Sequence, residues 1–298
     1  MRILIIKHGA LGDIALAFPA FAAIRAHPPG ATISVLTTAP FAKLLAASRW
    51  FDHVVIDARP AFWNIPALLT LRRQLRGYDL VYDLQTSSRS SRYFILAGRP
   101  RWSGIAKGCA LPHANPGRNA MHTRERLAQQ LAVAGIANLA APDLSWLRLD
   151  LSRFGLPARF ALLVPGAAPH RPAKRWPAAR FGALAAQLPL PAVIVGSASE
   201  TPLAQTIRQD APTTIDLSGQ TNLLELAAVI ARATLAVGND TGPMHLAAAL
   251  GVPSIALFSG ESDPALTAPR YPDGGWPVIL REPHLSNLPV AQVIAALP

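Results

Sequence analysis

Short uninterrupted apolar runs alternate with longer Ala- and Leu-rich stretches along the chain, and the alternation runs twice. In the first half, residues 3–7, 33–37, 53–57, 80–84 and 102–105 read as strands. Between them the spacing predicts helices over 14–27, 41–47, 66–76 and 90–96, with 121–134 as a further helix after a Pro/Gly-rich loop at 111–118. Strands that are apolar on both faces belong to parallel sheets covered by helices on both sides. A Pro-punctuated passage at 141–157 reads as a linker, and the pattern then restarts. Strands over 160–164, 192–195, 214–217, 234–237 and 254–258 alternate with helices over 178–188, 202–209, 223–231 and 242–251. The expectation is an α/β chain of two doubly wound, Rossmann-like domains, 1–155 and 156–298, facing across a cleft. A terminal helix over 288–297 is free to cross back to the first domain.

Composition narrows the class. Half of the 298 residues are hydrophobic (51%) and 15% are charged, which excludes a disordered chain. No apolar run reaches the roughly 18 residues of a membrane span. The opening residues 1–7 are too short for a signal peptide and read as the first strand. The single Cys109 allows no internal disulfide, which fits a reducing, cytoplasmic setting. The net charge of +11 is uneven: residues 1–150 hold 18 Lys and Arg against 8 Asp and Glu, whereas residues 151–298 hold 10 against 9. Such asymmetry points the first half at an anionic partner, or at a merely solvated basic surface. Tyr93 and Trp102 adjoin basic residues but fall inside predicted elements, which weighs against a stacking platform for nucleic acid.

The candidate chemistry sits where strands end. Gly238-Asn239-Asp240-Thr241-Gly242-Pro243-Met244-His245 follows an apolar strand and opens a helix that stops at Gly251. A helix start of this kind offers free N–H groups and a positive dipole end to a phosphate, and Pro243 suits its first turn. The plain alternative is a strand-to-helix turn capped by Asp240. Lys7-His8-Gly9-Ala10-Leu11-Gly12-Asp13 follows the first strand in the same way. Its Gly-x-x-Gly spacing differs from the dinucleotide fingerprint, which argues against a nicotinamide or flavin cofactor. Asp13 reads either as a helix cap or as a general base for an attacking hydroxyl. In the second domain Lys174 and Arg175 can reach a diphosphate, or form a solvated basic loop. Trp176 is expected to pack under the following helix. Glu200 either accepts from ribose hydroxyls or favours its own helix start. No Asp-x-Asp occurs; Glu261-Ser262-Asp263 is the nearest approach, so no metal site is expected.

The N-terminal strand with Gly12-Asp13 and Pro19, and the downstream Asp240-Thr241-Gly242-Pro243-Met244-His245 run through Val252-Pro253 to Leu257-Phe258, resemble glycosyltransferase family 9, the heptosyltransferases of lipopolysaccharide core assembly. The resemblance implies a GT-B fold with the acceptor on the first domain and ADP-heptose on the second. It implies metal-independent transfer with inversion and no cofactor beyond the sugar donor. Asp13 matches the family's catalytic base, Lys174 the donor's phosphate ligand and Glu200 the acid at the ribose. Asp240 matches the residue facing the sugar, Thr241 and Gly242 those at the phosphates, and His245 lies in the same motif with a structural role open to it. Gly12, Arg59, Arg89 and Arg92 fall on the acceptor side. Gly9, Ala10, Pro169 and His170 stand where members often carry hydroxyls. A phosphorylated glycolipid at the cytoplasmic face of the inner membrane, met peripherally, is the implied partner; nucleic acid is not. The alternatives are a non-catalytic nucleotide-sugar or anionic-glycan binder, a member using another nucleotide sugar, and a nucleotide-sugar epimerase or dehydrogenase.

Overall fold

Both halves of the chain are built on a central strand whose neighbours are all parallel to it. The computed structural model describes residues 1–298, which divide into two units, Met1–Trp146 and Leu147–Pro298. In the first unit the strands are β1 (Arg2–Ile6), β2 (Thr32–Thr37), β3 (His53–Ile56), β4 (Leu80–Asp83), β5 (Arg101–Gly104) and β6 (Leu111–Pro112). They alternate with α1 (Leu11–Ala26), α2 (Ala39–Ala47), α3 (Ile65–Leu75) and α4 (Ser88–Leu96), and α5 (Thr123–Val133) follows the last strand. The sheet order is β3-β2-β1-β4-β5-β6. Ile5 of β1 pairs with Val35 on one side and Tyr82 on the other, and Ile3 to Ile6 are fully buried.

The second unit repeats the plan with β7 (Ala161–Val164), α6 (Ala178–Ala185), β8 (Ala192–Ile194), α7 (Thr201–Asp210), β9 (Ile215–Asp216) and α8 (Leu223–Arg232). It continues through β10 (Leu235–Asn239), α9 (Gly242–Ala249), β11 (Ser254–Phe258), α10 (Pro264–Thr267), β12 (Val278–Arg281) and α11 (Val290–Ala295). The order is β12-β11-β10-β7-β8-β9, which is the same doubly wound topology. In each unit the strand order reverses beside the first strand, between β1 and β4 and between β7 and β10. Ligands of such sheets bind outside the carboxyl ends of the strands at that point.

Two helices that lack a polar face, α1 and α9, are buried almost all round, as their composition requires. They are the helices that begin at the two candidate motifs. Trp176 packs edge-on to Phe181 at 4.8 Å, and its Nε1 donates to the Leu288 carbonyl at 2.9 Å. Tyr93 and Trp102 are likewise sealed in the first core, so neither offers a face for stacking.

Three sequence expectations differ from the structure. Residues 111–118 include β6, a two-residue strand that carries no apolar periodicity. The edge strand β12 was not expected, because its half-exposed residues follow a Pro/Gly-rich loop. The linker residues belong to the units themselves: Trp146 stacks edge-on to Trp50 at 5.7 Å in the first unit. Leu147, Leu151 and Phe154 are buried in the second, and Arg153 pairs with Glu225 of α8 at 2.8 Å. The division therefore falls between 146 and 147, ahead of the 155/156 boundary read from the sequence. The terminal helix α11 packs against α6 of its own unit through Val293.

Candidate active site

In the second unit the motif at the end of β10 is assembled by close backbone approach. A Cβ on Gly238 would lie 2.5 Å from the Val164 Cβ and 2.8 Å from the Met244 Sδ, so only glycine lets β7, β10 and α9 meet there. The fully buried Asn239 ties three segments together. Its Nδ2 donates to the Pro165 and Gly166 carbonyls (2.8 and 3.3 Å), and its Oδ1 accepts from the Trp176 N–H at 2.9 Å.

Asp240 then presents its carboxylate to three side chains. Lys174 Nζ lies 2.5 Å from Oδ2, Ser262 Oγ donates to the same oxygen at 2.7 Å, and His245 Nε2 is 3.4 Å from Oδ1. Burial alone would raise this carboxyl, but His245, Lys174 and Ser262 outweigh it and hold the group at about 2. The Asp240 carboxylate is thus ionised across the physiological range, and its contribution is lost only as the pH falls from the ordinary 3.8 through about 2. Thr241 caps α9 in extended backbone, and its Oγ1 is buried without a hydrogen-bond partner, as is His245 Nδ1. Lys174, Asp240, Thr241, Gly242 and His245 therefore converge at the switch point. Ser262 joins them from the loop after β11. The neighbouring Asp263 caps α10 through the Ala265 N–H, so the Glu261-Ser262-Asp263 run is a serine contact plus a helix cap. Arg175 donates to the Ala167 carbonyl and braces the loop.

Glu200 accepts from the Ser197 N–H at 2.6 Å and from its hydroxyl at 3.0 Å, as the acid of a capping box. It also leans on the loop after β7: a Cβ on Gly166 would sit 1.8 Å from Glu200 Oε1. Gly166→Ala is expected to push Glu200 off this seat. The melting temperature should fall, as about 2 kcal/mol of stability is lost with the capping contacts to Ser197.

In the first unit Asp13 is the third residue of α1, and its Oδ2 accepts from the Ala10 N–H at 3.1 Å. The turn before it needs glycine, since Gly9 has φ +123° and a Cβ there would lie 2.3 Å from the Phe41 ring. Around this turn the strand ends are tied by buried polar groups that the sequence reading missed. His8 Nε2 lies 2.9 Å from Asp57 Oδ2, Tyr93 OH donates to that oxygen at 2.7 Å, and the Arg59 N–H donates to Oδ1. Lys7 Nζ reaches the Leu84 carbonyl at 3.2 Å. Burial lowers the Lys7 pKa, while the charges of Asp13 and Asp83 pull it back up and those of Arg126 and Arg118 push it further down. The acceptor-side arginines also gather here: Arg89 donates to the Pro60 carbonyl and, with Arg92, lies over the Phe62 ring. Gly12 is buried in the first turn of α1.

Burial raises the Asp83 carboxyl to about 6, against hydrogen bonds from Thr86, Ser90 and Gln85 and the charge of His8. A raised folded pKa gives a contribution that is complete below the ordinary 3.8 and lost as the pH rises through about 6. The protein is expected to gain about 1 kcal/mol between pH 7 and pH 5 from this group. Asp83→Asn, which keeps an acceptor for the Gln85 and Thr86 N–H groups, should flatten that part of the melting-temperature profile.

No helix is long and apolar enough to cross a membrane. Residues 68–274 match the family model described as glycosyltransferase family 9 (heptosyltransferase). Lipopolysaccharide heptosyltransferase 2 of Escherichia coli K12 is 30% identical over 90% of this chain and 85% of its own length. Lipooligosaccharide heptosyltransferase 2 of Haemophilus influenzae is 42% identical over 106 residues, 33% of this chain and 30% of that protein. The solved structure of the E. coli ADP-heptose lipopolysaccharide heptosyltransferase II superposes with a TM-score of 0.79 at 24% identity, covering 99% of this chain and 97% of that one. This likeness carries the fold, two Rossmann-like units of the GT-B class. With the family model spanning residues 68–274, the motif at the end of β10 included, the chain belongs to glycosyltransferase family 9 and is a glycosyltransferase.

Proposed function

We propose that the enzyme transfers heptose from ADP-heptose to a phosphorylated glycolipid of the lipopolysaccharide core, with inversion at the sugar carbon and without a metal or bound cofactor. The observation that carries this reading is the cluster at the second unit's switch point, where Lys174 and Ser262 converge on Asp240 beside the start of α9. The similarity to lipopolysaccharide heptosyltransferases supports heptose and lipopolysaccharide as the substrate class.

The acceptor hydroxyl attacks the anomeric carbon on the face opposite the diphosphate. The new C–O bond forms as the bond to the diphosphate oxygen breaks, and the hydroxyl proton passes to Asp13. Negative charge develops on the departing ADP. The Lys174 ammonium, the Gly242 N–H and the Thr241 hydroxyl meet that charge, in the role a metal ion plays in other transferases. Asp240 holds Lys174 in place and faces the sugar hydroxyls. Glu200, seated against Gly166, takes the ribose. Arg59, Arg89 and Arg92, with the backbone at Gly12, bind the acceptor's acidic groups, and the protein works at the cytoplasmic face of the inner membrane.

The test is a thermal-shift panel with ADP, UDP, GDP and dTDP, each with and without EDTA. A ligand that binds only the folded state raises the melting temperature by mass action. A selective shift with ADP, unchanged by EDTA, is the expected result. A larger shift with another nucleotide would overturn the heptose assignment, and a shift abolished by EDTA would overturn the metal-free mechanism.

A further inference from the structure

Five of the twelve large apolar side chains exposed in this chain fall between Ile56 and Leu69, all in the first unit. Trp63, at the tip of the loop before α3, is 85% exposed, and Ile65 and Leu69 follow it on the solvent face of that helix. The opposite face of α3 buries Leu71 and Leu75, so the outward apolar residues are surplus to the core. The same outward stripe continues at helical spacing as Arg72, Arg73 and Arg76, all exposed. Helix α4, which packs beside α3, adds Ile95, 64% exposed. Carboxylates are sparse here: residues 58–78 contain four arginines and no acid, residues 84–124 contain seven basic residues and no acid, and of the two acids between them Asp83 is buried and Asp79 accepts from the Arg2 N–H.

Isolated exposed apolar residues are ordinary; a cluster ringed by one sign of charge marks an interaction surface. Three partners fit a basic face, and the side chains choose among them. Nucleic acid would be met by stacked aromatics, but Ile65, Leu69 and Ile95 are aliphatic and cannot stack. A second copy of the chain would set the arginine stripe against itself in a two-fold contact. An anionic bilayer satisfies both halves: the indole and aliphatic side chains enter the headgroup boundary while the guanidinium groups lie at the lipid phosphates.

We propose that the α3 face, led by Trp63, Ile65 and Leu69 and flanked by Arg72, Arg73 and Arg76, is the surface by which the protein docks on an anionic phospholipid bilayer. This deepens the peripheral-membrane part of the reading above by naming the surface, and it is independent of which sugar is transferred. The experiment is co-sedimentation of the full chain with vesicles of phosphatidylcholine alone and of phosphatidylcholine mixed with phosphatidylglycerol. The expected result is binding to the mixed vesicles, with partitioning about tenfold weaker for W63S/I65S/L69S. That variant should keep its melting temperature and its turnover of a lipid-free acceptor, which separates loss of docking from failure of the transferase reading. If the triple variant did not fold, R72E/R73E would carry the test, with the salt-sensitive part of binding lost. Equal partitioning of folded variant and wild type, or no sedimentation of the wild type, would overturn the proposal. So would tighter binding to a single-stranded oligonucleotide, or a dimer that the substitutions dissociate.

Discussion

Asp13→Asn is expected to lower kcat by about a thousandfold, within the range a positioned general base supplies, while the ADP-induced thermal shift stays as in the wild type. The separation follows from where the residue sits. Asp13 belongs to the first unit, at the start of α1, and the Lys174–Asp240 cluster belongs to the second. An amide there can still accept from the Ala10 N–H, so the helix start survives while the proton acceptor is gone. A variant that lost ADP binding along with turnover would show that Asp13 acts on the fold or the donor instead. One that kept turnover would remove it from the chemistry altogether.

Lys174→Met is expected to cost about a hundredfold or more in kcat/KM, the scale of removing one preorganised group from a developing oxyanion. Here the nucleotide shift should shrink as well, since the same ammonium meets the ground-state diphosphate. The substitution also strips Asp240 of its closest partner, and the Asp240 carboxyl should rise from about 2 towards its ordinary value. Lys174→Arg restores the charge, but its planar fork must fit where a compact ammonium now lies 2.5 Å from Asp240. Partial recovery of nucleotide binding with poor recovery of kcat is the expected pattern. Full activity in Lys174→Met would show that the charge on the leaving group is met by something else.

The contrast between these residues and their neighbours shows what a sequence exposes. Asp240, Thr241 and Gly242 were legible because one contiguous run performs strand end, turn and helix start together, and local geometry alone brings them to one place. The same holds for Gly12 and Asp13. The roles of Asn239 and Ser262 were not legible: Asn239 stands in the quoted motif, but its three partners come from residues 165, 166 and 176. Ser262 reaches Asp240 only because β10 and β11 are adjacent in the sheet. The His8–Asp57–Tyr93 group brings together residues from three separate stretches, and no spacing rule links them. The fold itself followed from alternation, because buried parallel strands are continuous apolar runs. Strands β6 and β12 escaped because β6 is only two residues long and β12 is half exposed, so neither carries such a run.

These same arguments explain why the first unit tolerates so many arginines. Its core is closed by apolar strands and by aromatic contacts such as Phe94 on Trp102. The basic side chains project from α3, α4 and the loop that follows β3, where they do not load the core with unpaired charge.

The central claim is tested most directly by release of ADP from ADP-heptose in EDTA, measured with and without a heptose-free, deacylated lipopolysaccharide core as acceptor. The account predicts acceptor-dependent ADP release, one ADP for each heptose found on the product, at a rate that EDTA does not change. No release from ADP-heptose under these conditions, alongside turnover of a different nucleotide sugar, would contradict it.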